Sequence, residues 1–179
     1  MLMEIIKKIT LAGDGLVGKT SLIRRYVLDH FDDKYTVTIG TKVTKKNIKM
    51  NRNGEDTDIT FMIWDIMGLT GYHYELHKKN FQGTKGAIIV CDVTRLDTLI
   101  SLSTWAHQIK SIAGEIPMVF IYNKSDLIDK AEVSETEIKE EAKKHNAPYL
   151  LTSAKTGENV EKAFALLAES IMEKHEAGT

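Results

Sequence analysis

The chain has 179 residues, enough for one domain with a full core, and residues 1–179 read as one such domain. Its 24 basic and 25 acidic residues nearly cancel, which excludes the electrostatic footprint of a nucleic-acid binder. A single cysteine, Cys91, excludes an internal disulfide, no apolar run reaches the length of a membrane span, and no secretory signal leads the chain, so a reducing, cytoplasmic setting is expected.

In chain order, residues 5–11 form the first strand candidate. Gly13-Asp14-Gly15-Leu16-Val17-Gly18-Lys19-Thr20 follows at once and spells G-x-x-x-x-G-K-T. Ser21-Leu22-Ile23-Arg24-Arg25-Tyr26-Val27 then continues as an amphipathic helix. Strand, glycine-rich turn and helix start are what this motif needs to hold phosphate. Turn N–H groups point inward at an anion, and the helix N-terminus adds a favourable dipole. Lys19 can reach the terminal phosphates, and the Thr20 hydroxyl can ligate Mg²⁺.

Between Lys42 and Asp65 two strands flank residues 51–55, where Asn53-Gly54 signals a hairpin turn because both positions tolerate positive φ. Lys42, Lys45, Lys46 and Lys49 line the first of these strands, as lysines do on edges that must resist pairing; an effector or membrane-facing surface is the sharper reading. Further strands are expected over residues 59–65, 87–92, 118–122 and 149–152. Cys91 lies inside the third of these five runs and reads as a buried small hydrophobe.

Three helical stripes are clear. Leu99, Leu102, Trp105, Ala106, Ile109 and Ile112 form one; Ile138, Ala142 and His145 form a second, opened by a Ser134/Glu137 capping box; Val160, Phe164, Leu167 and Ile171 form the third. The expected architecture is an α/β domain with a mostly parallel six-stranded sheet, one antiparallel hairpin and helices on both faces. His73 and His77, four apart, have no cysteine or third ligand near them and read as solvent-facing or partner-facing, not as a zinc pair.

Polar signals cluster at the carboxyl ends of these strands, where ligands bind in such a sheet. Asp65-Ile66-Met67-Gly68 offers an aspartate that can hold Mg²⁺ through water and a glycine whose N–H can approach a terminal phosphate. Asn123-Lys124-Ser125-Asp126 offers a carboxylate that can accept two N–H bonds from guanine, and a lysine stem that can lie along the base. Ser153-Ala154-Lys155 offers the Ala154 N–H to guanine O6. Donors facing Asp126 and an acceptor facing Ala154 describe guanine and not adenine.

With these residues in view the chain resembles a small GTPase of the Ras superfamily, closest to the Rab-like branch, from about residue 4 to residue 172. Gly-Asp-x-x-Val-Gly-Lys-Thr-Ser-Leu, Trp-Asp-x-x-Gly, Asn-Lys-x-Asp and Ser-Ala-Lys carry the resemblance, together with Phe81-Gln82-Gly83 and the run from Gly86 to Thr94. The resemblance implies a P-loop fold and a switch that cycles between GTP and GDP with Mg²⁺. It implies that Thr38 closes on Mg²⁺ and the γ-phosphate, that Phe31 packs an edge against guanine, and that Tyr35 covers the phosphates. Gly15 would leave room for an incoming arginine. Partners would be exchange factors, GTPase-activating proteins and effectors, met through residues 32–49 and 66–80 by a monomer, with Trp64 and Met67 in an apolar patch.

Two features depart from the family pattern. Leu69 stands where the family has a glutamine that orients the attacking water, and leucine has no donor or acceptor for that task. Hydrolysis, for which Lys19, Thr38, Gly68 and position 69 are the catalytic set, is therefore expected to be slow. Natural divergence and a deliberate substitution both account for the leucine, and a non-hydrolysing, GTP-bound scaffold is the alternative function. The chain also ends without the prenylated cysteines usual in the Rab-like branch, so the expectation is either a tail cut short of them or a soluble member that reaches membranes only through partners.

Overall fold

Apolar runs of strand length alternate with amphipathic stretches, and each becomes the element its period predicts. The computed structural model describes residues 5–52, 54–68 and 74–177. The elements are β1 (Ile5–Ala12), α1 (Lys19–Leu28), β2 (Thr41–Arg52), β3 (Glu55–Ile66), α2 (Tyr74–Phe81), β4 (Gly86–Asp92), α3 (Leu96–Ala113), β5 (Met118–Asn123), α4 (Glu135–Lys144), β6 (Tyr149–Leu151) and α5 (Val160–Ala177). They build a six-stranded sheet in the order β2-β3-β1-β4-β5-β6. Every neighbouring pair is parallel except β2 with β3.

The antiparallel pair runs from Thr41 opposite Ile66 to Arg52 opposite Glu55. Only two residues separate its strands at the far end. Gly54 takes φ 86°, as a primed turn requires, while Asn53 lies outside the described residues. The hairpin is longer than the apolar pattern alone indicates, because its outer half carries polar residues on both strands.

Both faces of the sheet are covered, so β4 is buried along its whole length. Its side chains alternate between two cores. Ile88 and Val90 join a cluster with Leu22 and Tyr26 of α1 and Phe164 and Leu167 of α5. Ala87, Ile89 and Cys91 join Phe81 of α2, Leu102 and Trp105 of α3, and Ile138 and Ala142 of α4. Tyr26 and Phe164 stack with ring centroids 3.8 Å apart, which fixes α1 against α5. Burial pushes the Cys91 thiol far above its ordinary value, so it stays protonated and inert.

The Ser134 hydroxyl accepts from the Glu137 N–H, and the Glu137 carboxylate accepts from the Ser134 N–H, forming the expected capping box of α4. One expectation is corrected. His77 lies on α2 but is 2% exposed, edge-on to Trp105 at 5.2 Å and stacked near Phe81 at 5.7 Å. Helix α2 turns this face onto α3, so the imidazole packs inside instead of meeting solvent or a partner. His73 lies outside the described residues.

Candidate functional site

A cleft of about 390 Å³ opens at the carboxyl ends of the parallel strands. Its phosphate end is the turn between β1 and α1. Gly18 takes φ 102°, and a Cβ there would meet Asn123 Nδ2 at 2.3 Å, so only glycine fits. The first turn of α1 carries no acidic residue and no side-chain cap, which leaves its N–H groups open to an anion. Lys19 is buried, and its Nζ donates to the carbonyls of Gly13 at 2.7 Å and Asp14 at 2.6 Å. Burial lowers its pKa to about 8 against the charges of Asp65 and Asp14. Gly13, Asp14 and Val17 thus stand behind the turn as braces. Gly15, Leu16, Lys19, Thr20 and Ser21 line the cleft itself.

Gly68 closes onto this turn. A Cβ at Gly68 would lie 2.4 Å from the Gly15 nitrogen and from the Asp14 carbonyl carbon, so the backbones meet where no side chain fits. Leu69 lies outside the described residues.

Three oxygen-bearing side chains meet beside Lys19. Thr20 Oγ1 donates to Asp65 Oδ2 at 2.5 Å and lies 2.9 Å from Thr38 Oγ1. Asp65 is 2% exposed, and its Oδ1 has no hydrogen-bond partner among the described residues. Burial raises the Asp65 pKa, opposed by the Thr20 bond and by Lys19, Lys42 and Arg24. A buried carboxylate oxygen left over beside two hydroxyls is a donor set suited to a hard divalent cation such as Mg²⁺.

At the other end of the cleft the polar groups satisfy one another. Asn123 Nδ2 donates to the Val17 carbonyl at 2.9 Å, and its Oδ1 accepts from Thr152 Oγ1 at 3.1 Å and from the Ala154 N–H at 3.2 Å. Ser153 Oγ donates to Asp126 Oδ1 at 2.6 Å and accepts from the Thr156 N–H. Lys124, at φ 69°, pairs with buried Asp92 at 2.6 Å and donates to the Tyr35 hydroxyl at 3.0 Å. Burial pulls the Lys124 pKa down, but the bonds to Asp92 and Tyr35 leave it above the ordinary lysine value. Phe31 and Lys155 also line this end.

Tyr35 sits differently from the family expectation. Its hydroxyl meets Lys124 at the base end, not the phosphate end, and the residue is 70% exposed. It lies in a coil between α1 and β2 whose Val37 and Ile39 are likewise exposed.

Several supporting residues were not singled out by the sequence. Leu127 adds an apolar wall beside Lys124. Asp92 holds Lys124, and Trp105 Nε1 donates to Asp14 Oδ1 at 2.8 Å. Trp105 sits within an apolar stripe and Asp92 closes an apolar run, so the pattern marked them only as core.

The Ras family model matches residues 8–173. The chain belongs to the Ras family. Rab proteins are among its relatives. Ras-related protein Rab-31 of Homo sapiens is 34% identical, with 96% of this chain and 87% of the relative covered. Rab-27B of Homo sapiens is 33% identical over 97% of this chain and 83% of its own length. Rab-2B of Dictyostelium discoideum is 33% identical over 97% and 84%. The chain is thus a Rab-like member, and membership supports a GTP-binding switch with GTPase activity in general. No helix among the described residues is long and apolar enough to cross a membrane.

Proposed function

We propose that this chain binds GTP and GDP with Mg²⁺ in the cleft, reads the base through Asp126 and Ala154, and acts through the change in its switch segments, about residues 32–41 and 66–80. The observation that carries this reading is the meeting of Thr20, Thr38 and Asp65 at one end of a cleft whose other end joins Asn123, Ser153, Ala154 and Asp126. The Asp126 carboxylate accepts from guanine N1 and N2, the Ala154 N–H donates to O6, and the Lys124 stem lies along the base. The P-loop N–H groups and Lys19 hold the phosphates, exchanging the carbonyl contacts of Lys19 for anionic oxygens. Thr20, Thr38 and Asp65 hold Mg²⁺, which when bound neutralises charge on the β- and γ-phosphates. The Gly68 N–H approaches the terminal phosphate.

Hydrolysis in this chain is slow, because Leu69 cannot orient water. That same residue favours a second reading, a scaffold that stays GTP-bound. The whole chain acts as one domain and as a monomer that meets exchange factors, activating proteins and effectors through residues 32–49 and 66–80. Nucleotide extracted from the purified protein and identified by chromatography tests the assignment: guanine nucleotide is expected, and adenine nucleotide, or equal affinity for both, overturns it.

A further inference from the structure

The geometry points to Arg25 as the residue that ties the base-reading loop to the phosphate-binding helix and so sets the distance between the two ends of the cleft. Arg25 lies in the last turn of α1, six residues after Lys19, or about 9 Å of helix rise. Its guanidinium faces the loop after β6. Nε donates to the Ala154 carbonyl at 2.9 Å, and Nη2 donates to the Lys155 carbonyl at 2.6 Å. Nη1 turns the other way and bonds Asp29, through the carboxylate at 3.0 Å and the carbonyl at 3.3 Å. The Asp29 N–H in turn donates to the Arg25 carbonyl at the end of the helix.

Only a planar fork can hold two successive carbonyls and a carboxylate at once. The result is a fixed peptide plane on each side of Ala154. On one side the Ala154 N–H faces Asn123; on the other the Ala154 carbonyl is held by Arg25. The N–H assigned to guanine O6 is thereby aimed from behind, by a residue that does not line the cleft. The same rigid helix presents Lys19 to the phosphates at its first turn. Arg25 is therefore a positioning residue: it keeps the base contact in register with the phosphate contact. This rests on the guanine assignment above.

The test compares the parent chain with Arg25→Ala, Arg25→Lys and Asp29→Ala in three measurements: the release rate of fluorescent GDP, the GDP-to-ADP affinity ratio, and the affinity for inorganic tripolyphosphate. Arg25→Ala is expected to speed GDP release about tenfold or more and to narrow the preference for GDP over ADP, because the loop that meets O6 loses two charge-assisted bonds. Tripolyphosphate affinity should hold, since Lys19 and the turn before it are untouched. Arg25→Lys, which keeps charge and stem but not the fork, should fall between parent and alanine, and it keeps the question open to measurement if the alanine variant does not fold. Asp29→Ala removes an exposed carboxylate, leaves the Asp29 carbonyl to Nη1 and should behave like the parent. Parental GDP release and base preference in both Arg25 variants overturn the inference. So does an equal loss for GDP and tripolyphosphate, which marks general loosening of α1, or an Asp29→Ala defect as large as that of Arg25→Ala. A parent chain that shows no preference for GDP over ADP overturns the guanine assignment itself.

Discussion

The two walls of the cleft are built in opposite ways. At the base end Asn123, Ser153 and the Ala154 N–H are buried and spend their hydrogen bonds on one another and on Val17, Thr152 and Asp126. Across from them residues 32–40 form coil, mostly exposed, with Tyr35, Val37 and Ile39 open to solvent and Thr38 tied back through Thr20. The first wall is preorganised, so a base meets groups whose ordering cost has been met in folding. The second has little apolar burial to hold it, and its order must come from whatever bridges Thr38 to the phosphate end. One fold thus supplies a rigid reader and a responsive segment within one cleft.

The sharpest way to break the rigid side is to change what it reads. Replacing Asp126 by Asn is expected to lower GTP affinity by at least about a hundredfold, because a donor then faces the donors of guanine. Xanthosine triphosphate, with an acceptor at C2, should become the better ligand. Competition binding with the two nucleotides checks this, and an undiminished preference for GTP ends the base assignment.

The responsive side is probed through Leu69. Leu69→Gln should raise single-turnover GTP hydrolysis by the isolated chain roughly tenfold or more, a barrier change of about 1.4 kcal/mol. GTP affinity should stay near the parent value, since the glutamine acts on the transition state. A rate within about twofold of the parent would move the bottleneck elsewhere, with Thr38 closure the first suspect.

A direct measurement of the contrast is amide hydrogen exchange in the GDP state and with a non-hydrolysable GTP analogue. Amides of residues 32–41 should exchange roughly several-fold more slowly with the analogue, while those of 152–158 should be protected alike in both. Equal protection of 32–41 in the two states favours the scaffold reading.

The rigid side was also the legible one. Each parallel strand announced itself by an apolar run, and each polar tip after it (Asp65, Asn123, Ser153) stood where the topology puts ligand groups. The two-core burial of β4 followed from its unbroken apolar sequence. What stayed hidden depends on direction through space. Trp105 fits a core stripe, yet its indole N–H reaches Asp14 across 91 positions of chain. His77 reads as polar and surface-bound until α2 is seen to lie against α3. Arg25 looks like one of two solvated arginines, and only the return of the chain after β6 brings Ala154 and Lys155 to its fork. Periodicity gives a residue's face on its own element; it does not give the partner that a distant loop supplies.

The smallest expected effect lies away from the cleft and serves as its control. His145 caps α4 and is wedged between helices: its Nε2 lies 2.8 Å from Ser103 Oγ of α3 and 3.6 Å from Glu141, with the Phe120 ring of β5 beside it at 5.2 Å. Burial lowers the His145 pKa below its ordinary 6.5; Glu141 opposes this, while Lys110 and His107 of α3 reinforce it. Burial would raise the Glu141 pKa, but its bonds to Lys144 and Ser103 hold it below 4.5. Both folded values sit below the unfolded ones, so in each window the unfolded chain binds more protons and stability falls with falling pH. The histidine contribution is present in full above 6.5 and is lost first; the glutamate contribution goes only below 4.5. Between about pH 7.5 and 5.5 the melting midpoint should fall slightly as the histidine contribution is lost, while the glutamate contribution stays. His145→Gln should flatten that slope while leaving GDP release unchanged, because neither Ser103, Glu141 nor His145 lines the cleft. Thermal melts across that range, run on parent and variant, decide it: parallel slopes remove His145 as the sensor, and a change in GDP release would show that the α3–α4 contact reaches the rigid wall after all.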